Sequence, residues 1–537
     1  MTAPPLSALD LATLLGVDPP TEEQVRIIES PHDRSAAVIA GAGSGKTAVI
    51  SLRVVWLVAN GLVDADRILG LTFTRKAVGE LNSRVRDYLG RYRRTPEGSA
   101  QVREEGLPGL DLPTVSTYNS YAAALVGDHG IGIGLEGSEE VLDAAARAQL
   151  IERILDSAAP DEVLDRSRST MASWVSGLLS EMGDHLVSFE QVESHLDECL
   201  DALCTGTYVR GLAQTLVRKR SGAFADKAFK TMVVEQLRSL ADEYDAADRA
   251  GRTALRPQIR PLLEEHDPVA DRLLAKRRLV GLARQYAEAK AERGGVEFSD
   301  QVALAHRIME TSPAALQAER ARWDVVLLDE FQDTSYAQFL MLQQIFGRHA
   351  VMAVGDPRQA IYGWRGASAD NIESFPAAFR GPHDEAARKF GLTISWRNDA
   401  AVLDAANCIA RGLPTVDERV GLRARPGAPE GAVAVSLTHS ALPDPAHPEE
   451  PAQLPELVAW MLRARDDLFD RHSRKEEEKR EAARASGQRP PRPSPLPTFA
   501  VLCRARSGFG PIAAALQDAD LPVKVAGSHG QIGRAHV

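Results

Sequence analysis

Four short apolar runs recur along the chain, at residues 36–40, 68–73, 325–328 and 350–354, each bounded by polar or glycine-containing residues. They are aliphatic or β-branched, and short enough to read as strands covered on both faces. Helical patterns separate them, so the spacing predicts an α/β unit with a parallel sheet and chemistry at the C-terminal ends of its strands. Between about residues 118 and 295 the character changes. Glycine becomes sparse after Gly137, and Ala/Leu/Glu/Arg stretches such as 141–155 and 270–293 dominate. Strand signals resume only at Val325, so this stretch reads as a helical insertion whose Met and Leu residues form core. Beyond Leu392 a second α/β pattern begins and ends in strand-like 498–502 and 523–525. Residues 471–484 carry dense mixed charge and read as a solvated helix; the proline-rich 486–497 reads as a linker. There is no internal repeat.

Composition narrows the class without naming a function. At 537 residues the chain is too long for one hydrophobic core and suggests about three or four packing units. No apolar run reaches the roughly 18 residues a membrane helix needs, and the N-terminus lacks a basic segment followed by an apolar one. Cys199, Cys204, Cys408 and Cys503 are too few for a disulfide scaffold and lack the spacing of a zinc site. Cys199 and Cys204 read as buried free thiols. A cytoplasmic protein is expected. The net charge of −11 requires any nucleic-acid binding to use a local surface.

Directly after the first apolar run, Ala40, Gly41, Ala42, Gly43, Ser44, Gly45, Lys46 and Thr47 fit a phosphate-binding loop, with alanine for the usual first glycine. Small residues let backbone N–H groups wrap anionic oxygens, a lysine meets the β and γ phosphates, and a hydroxyl binds Mg²⁺. The run at 325–328 ends in Asp329 and Glu330. In such a site Asp329 would hold Mg²⁺ and Glu330 would orient and deprotonate the attacking water. Two acids after a strand can also cap a helix, but with the loop upstream the pair reads as half of an ATPase site.

The surrounding residues resemble the UvrD/Rep/PcrA helicases of superfamily one. Asp329-Glu330-Phe331-Gln332-Asp333-Thr334 is similar to their motif II, and the stretch from Gly355 through Gln359, Tyr362, Trp364 and Arg365 to Ala367 to motif III. Leu71–Ala77 resembles motif Ia, Thr114–Ser120 motif Ib, Ser395–Asn398 motif IV, and Thr21–Gln24 the adenine-reading glutamine motif. The resemblance implies that Gln24 bonds adenine, that Gln359 senses the γ-phosphate, and that Arg397 acts as an arginine finger. It places Phe73, Thr74, Tyr118, Tyr362 and Trp364 on single-stranded DNA, and Arg365 either there or in an ion pair with a motif II acid. Core is the alternative for Phe73 and Trp364, and Phe298–Gln301, similar to an aspartate-containing family stretch, also reads as a plain helix start. Asn119 and Arg75 depart from the commoner residues on the DNA-facing side.

The implied fold is a RecA-like domain made of 1–117 and 296–391, interrupted by a helical subdomain at 118–295. An incomplete second RecA-like domain would follow at 392–530, with the excursion at 471–497. The implied activity is ATP- and Mg²⁺-dependent 3′-to-5′ translocation on single-stranded DNA and at DNA ends, in repair or recombination. Residues 60–77 and 115–118 look closest to AdnB-type helicase–nuclease subunits, which work with an AdnA-type partner in double-strand-break processing. The alternatives are a stand-alone UvrD-like repair helicase and a nucleotide-dependent DNA-binding subunit without motor activity. Motifs V and VI are absent, and 531–537 reads like a translated sequencing adapter. A truncated chain with an artefactual tail and impaired turnover is therefore expected.

Overall fold

The computed structural model describes residues 5–99, 112–135, 140–159, 166–218, 227–363, 366–368, 370–412, 421–435, 454–486, 493–503 and 505–525. Contacts divide the chain into two compact units, residues 1–432 and 433–537.

The first unit is built on a six-stranded, all-parallel sheet of β1 (Ala36–Ala40), β2 (Ile68–Thr72), β3 (Thr114–Thr117), β6 (Val325–Leu328), β7 (Val351–Gly355) and β8 (Arg388–Leu392), in the order β3-β2-β6-β7-β1-β8. The four expected strands are all present. Their continuous apolarity follows from burial on both faces. Val326 and Leu328 point into one core with helices Tyr118–His129, Phe298–Thr311 and Tyr336–Phe346. Val325 and Leu327 point into the other, with α1 (Ala8–Leu15), α2 (Glu22–Ile28), α3 (Lys46–Ala59) and α4 (Arg75–Tyr92). Strand order carries the functional consequence. β7 lies between β1 and β6, so the ends of these three strands form one continuous edge.

Two two-stranded sheets are minor. β4 (Glu140–Val141) pairs with β5 (Gly295–Val296), and β9 (Ile394–Ser395) with β10 (Arg423–Ala424), all parallel. From Ala144 to Glu292 the described residues form seven helices with short connections, as the pattern predicts, and bury two cores of their own. One packs Ile151, Met171 and Tyr286; the other packs Leu212, Leu237 and Ile259. Cys204 is buried there, whereas Cys199 is only half-buried. Helix Phe298–Thr311 starts with a capping box: the Asp300 side chain accepts the Glu297 N–H at 2.7 Å. Lys290 pairs with the same carboxylate at 2.6 Å. The helix-start reading of Phe298–Gln301 therefore accounts for Asp300.

In the second unit, helix Leu454–Ala485 is long and mostly exposed, as the charge run at 471–484 predicts. Helix Phe509–Asp518 follows. The expected strands at 498–502 and 523–525 are not formed. Neither has a ladder partner among the described residues, and Leu502 is 95% exposed. Apolar alternation without a partner edge leaves strand N–H and C=O groups to water. The tail at 531–537 lies outside the described residues.

Candidate active site

The phosphate loop leaves β1 at Ala40 and runs into α3, whose first residue is Lys46. Gly43 and Gly45 adopt φ of 75° and 88°, a region costly for residues with a Cβ. Gly45 caps α3 without a side-chain bond, which leaves the first helical N–H groups facing the loop, where anionic oxygens bind. The buried Ser44 hydroxyl has no partner among the described residues, a donor of the kind a phosphate oxygen satisfies. The segment after β8 closes over the loop. Ser395 Oγ donates to the Ala42 carbonyl at 3.0 Å and the Trp396 N–H to the Gly43 carbonyl at 2.8 Å. A methyl group at Gly43 would lie 2.6 Å from Arg397 Cβ. The fold thus brings Arg397 beside the phosphate loop.

The acids come from the end of β6. Asp329 is pinned through its backbone: its N–H donates to the Leu71 carbonyl at 2.7 Å, and its carbonyl accepts the Tyr118 hydroxyl at 2.8 Å. Its carboxyl is buried, and that burial, with the Glu330 charge beside it, pushes it up to about 7. A buried carboxylate of this kind is a fitting ligand for a hard cation, because the cation removes the cost of its charge. Glu330 takes a left-handed conformation, φ 50°, unusual for a residue with a side chain and typical of turns held for a function. The turn sends its carboxylate to Lys46, with Nζ and Oε2 3.1 Å apart. One ion pair therefore joins the phosphate loop to the acidic strand end across β7. Asp333, also raised by burial and by Glu330, reaches about 6.

Gln24 is buried, and both its amide oxygen and its amide nitrogen are engaged. Oε1 accepts the Thr21 N–H, completing a capping box on α2, and Nε2 donates to the Ser44 carbonyl at 3.3 Å. The glutamine thus touches the phosphate loop directly. At the end of β7, Gln359 Nε2 donates to Asp356 Oδ2 at 2.6 Å. Phe73 and Tyr362 pack ring against ring, with centroids 4.6 Å apart and planes tilted by 34°. Both are half-buried, and Thr74 beside them caps α4 by accepting the Ala77 N–H. Trp364 and Arg365 lie outside the described residues.

One expectation is corrected. Tyr118 does not face a DNA strand. It is 1% exposed, packs in the sheet core and spends its hydroxyl on the Asp329 carbonyl. Its place at the N-terminus of a helix that packs on the sheet turns the ring inward, so its role is to hold the backbone of the acidic turn. Three participants lay inside the motifs without an assigned role: Gln332, Asp356 and Ser395. Each is a small or amide polar residue next to a stronger signal. Burial of a hydrogen-bonded polar side chain is what marks them.

A parallel sheet with a phosphate loop after β1, acids after β6 and a glutamine turn after β7 defines a P-loop nucleotide-binding protein. The chain belongs to the UvrD/REP helicase family: that family's N-terminal domain matches residues 20–380. It is 25% identical over 401 residues to DNA helicase II of Haemophilus influenzae, a match covering 74% of this chain and 41% of that protein. It is 24% identical over 395 residues to the ATP-dependent DNA helicase PcrA of Bacillus subtilis, covering 73% and 39%. It is also 24% identical over 397 residues to the ATP-dependent DNA helicase UvrD1 of Mycobacterium tuberculosis, covering 71% and 39%. The chain spans about two fifths of the length of these relatives. Among the described residues no helix is long and apolar enough to cross a membrane.

Proposed function

We propose that this chain carries the ATP-hydrolysing site of a DNA helicase that moves 3′ to 5′ on single-stranded DNA. The observation that carries the reading is the 3.1 Å contact between Lys46 and Glu330, which joins phosphate binding and water activation in one site. When ATP enters, Lys46 exchanges Glu330 for the β and γ phosphates, and Glu330 is released to orient water and accept its proton. Thr47 and Asp329 would hold Mg²⁺, which when bound neutralises phosphate oxygens. Gln24 turns its amide to the adenine edge, Gln359 meets the γ-phosphate, and Arg397 stabilises charge on the transferred group. Phe73 and Tyr362 offer a base-stacking surface beside the same strand ends, with Thr74, Trp364 and Arg365 completing the track.

In this reading 1–117 with 296–391 form the first RecA-like domain, 118–295 its helical insertion, and 392–530 part of a second. The cellular role is DNA repair or recombination in the cytoplasm. The similarity of 60–77 and 115–118 to AdnB-type subunits supports a place in double-strand-break processing with an AdnA-type partner.

Tailed duplexes test the proposal. ATP-dependent displacement from a 3′-tailed duplex, and none from a 5′-tailed one, is expected. Displacement from the 5′-tailed duplex alone would reverse the polarity. ATP-dependent DNA retention with no displacement from either would favour the subunit without motor activity.

A further inference from the structure

Gln332 is 1% exposed and lies between the acids of the β6 turn. Its carboxamide reaches three groups at once. Nε2 donates to Glu330 Oε2 at 2.9 Å and to Asp333 Oδ2 at 3.2 Å, and Oε1 accepts the Asp356 N–H at 3.0 Å. A flipped amide would set its carbonyl against two carboxylates and its N–H groups against an N–H, so the network itself fixes the orientation. The end of β7 is shaped to receive it: a Cβ at Gly355 would lie 2.5 Å from Gln332 Oε1. A glutamate at 332 would keep the acceptor and lose both donors. An asparagine would fall one methylene short.

Lys46 and Gln332 both bind the same oxygen of Glu330. If the lysine moves to phosphate, the glutamine is the ligand among the described residues that remains on that oxygen. The other end of its amide holds the Asp356 turn, where Asp356 accepts Gln359 Nε2. Asp333, its second acceptor, also receives the Ile361 N–H, next to the Tyr362 ring stacked on Phe73.

We infer that Gln332 is a positioning residue: its buried carboxamide holds the Glu330 carboxylate in the water-activating orientation and locks that orientation to the Asp356 turn carrying Gln359. The inference rests on the ATPase reading of Lys46 and Glu330. Any displacement of the Asp356 turn then pulls on the catalytic base through one rigid side chain, which makes hydrolysis responsive to events at the Tyr362–Phe73 surface. Misaligning a base by an ångström costs on the order of a hundredfold in rate.

The test compares wild type, Gln332→Met, Gln332→Glu and Glu330→Gln in the whole chain. Steady-state ATPase is measured with and without single-stranded oligonucleotide, and rates are divided by the fraction of sites that bind a fluorescent ATP analogue with Mg²⁺. Both Gln332 variants are expected to lose roughly ten- to a hundredfold in kcat per binding site, with KM for ATP within about threefold. The stimulation by DNA is expected to fall towards unity. A purely structural role would lower the melting temperature and the number of binding sites while leaving kcat per site and DNA stimulation intact. Gln332→Glu, isosteric and still able to accept the Asp356 N–H, decides the matter if Gln332→Met does not fold. Wild-type kcat per site in the Gln332 variants, alongside loss in Glu330→Gln, would overturn the inference and leave the ATPase reading standing. A wild-type chain that hydrolyses no ATP would overturn both.

Discussion

Burial and the adjacent Glu330 charge push the Asp329 carboxyl up to about 7 from an ordinary 3.8. The folded protein therefore holds a proton that the unfolded chain releases as pH rises from about 4. This group's contribution to stability is complete below that value and is lost progressively as pH rises through 7. Asp329→Asn is expected to raise the melting temperature above neutral pH by a few degrees and to flatten its decline between about pH 4 and 7, while abolishing Mg²⁺-dependent hydrolysis. Thermal melts across pH check this. A variant that melts lower than wild type at alkaline pH would contradict the assignment of burial cost to this carboxyl. A second residue-scale expectation concerns the exposed side of the same edge. Tyr362→Ala removes one ring of the pair with Phe73, and stacking is worth about 1–3 kcal/mol per base. Affinity for single-stranded DNA, measured by fluorescence anisotropy, should fall between about fivefold and a hundredfold with ATP binding unchanged.

At the scale of elements, the site depends on how α2 is held against α3. Arg53 of α3 is 2% exposed and donates to the carbonyls of Ile27, Ile28 and Ser30 at 2.9–3.0 Å and to Pro31 at 3.3 Å. Burial lowers its guanidinium only to about 10, so it stays charged and neutralises the C-terminal end of α2. Arg53→Met would strand several carbonyls away from water, and a loss of roughly 3 kcal/mol or more is expected in denaturant unfolding. Because α2 carries Gln24, nucleotide affinity should weaken with it.

The buried strands were readable because they are apolar on both faces; the edge strand β8, Arg388–Leu392, was not. Its charged residues are mostly exposed, and its membership comes from pairing with β1 rather than from composition. The phosphate loop and the acids were legible because their chemistry demands particular residues at particular spacings. Tyr118 was misplaced because a motif specifies position along the chain and not which way a helix turns its side chains. Strand-like 498–502 failed for the converse reason: a strand is defined by its neighbour.

Across the whole molecule, part of the charge is spent on ion pairs between helices. The chain carries a net −11, and several arginines of the helical stretch are paired: Arg260 and Arg277 with Asp197, Arg256 with Asp201, and Arg284 with Glu190 and Glu193. These pairs brace helix against helix, and under the proposed function DNA binding rests on stacking and a few backbone contacts. The logarithm of DNA affinity is therefore expected to fall with the logarithm of salt concentration at a shallow slope, of magnitude below about 3. A slope several times steeper would reveal a basic track elsewhere on the surface. The central claim is that one edge of the parallel sheet hydrolyses ATP under the control of DNA. Its most direct measurement is ATP hydrolysis by the chain with and without single-stranded DNA, for wild type and Glu330→Gln side by side. The expected result is DNA-stimulated turnover in the wild type and a loss of at least about a hundredfold in the variant, with ATP binding retained. Turnover in Glu330→Gln equal to wild type, or a wild-type rate indifferent to DNA, would contradict it.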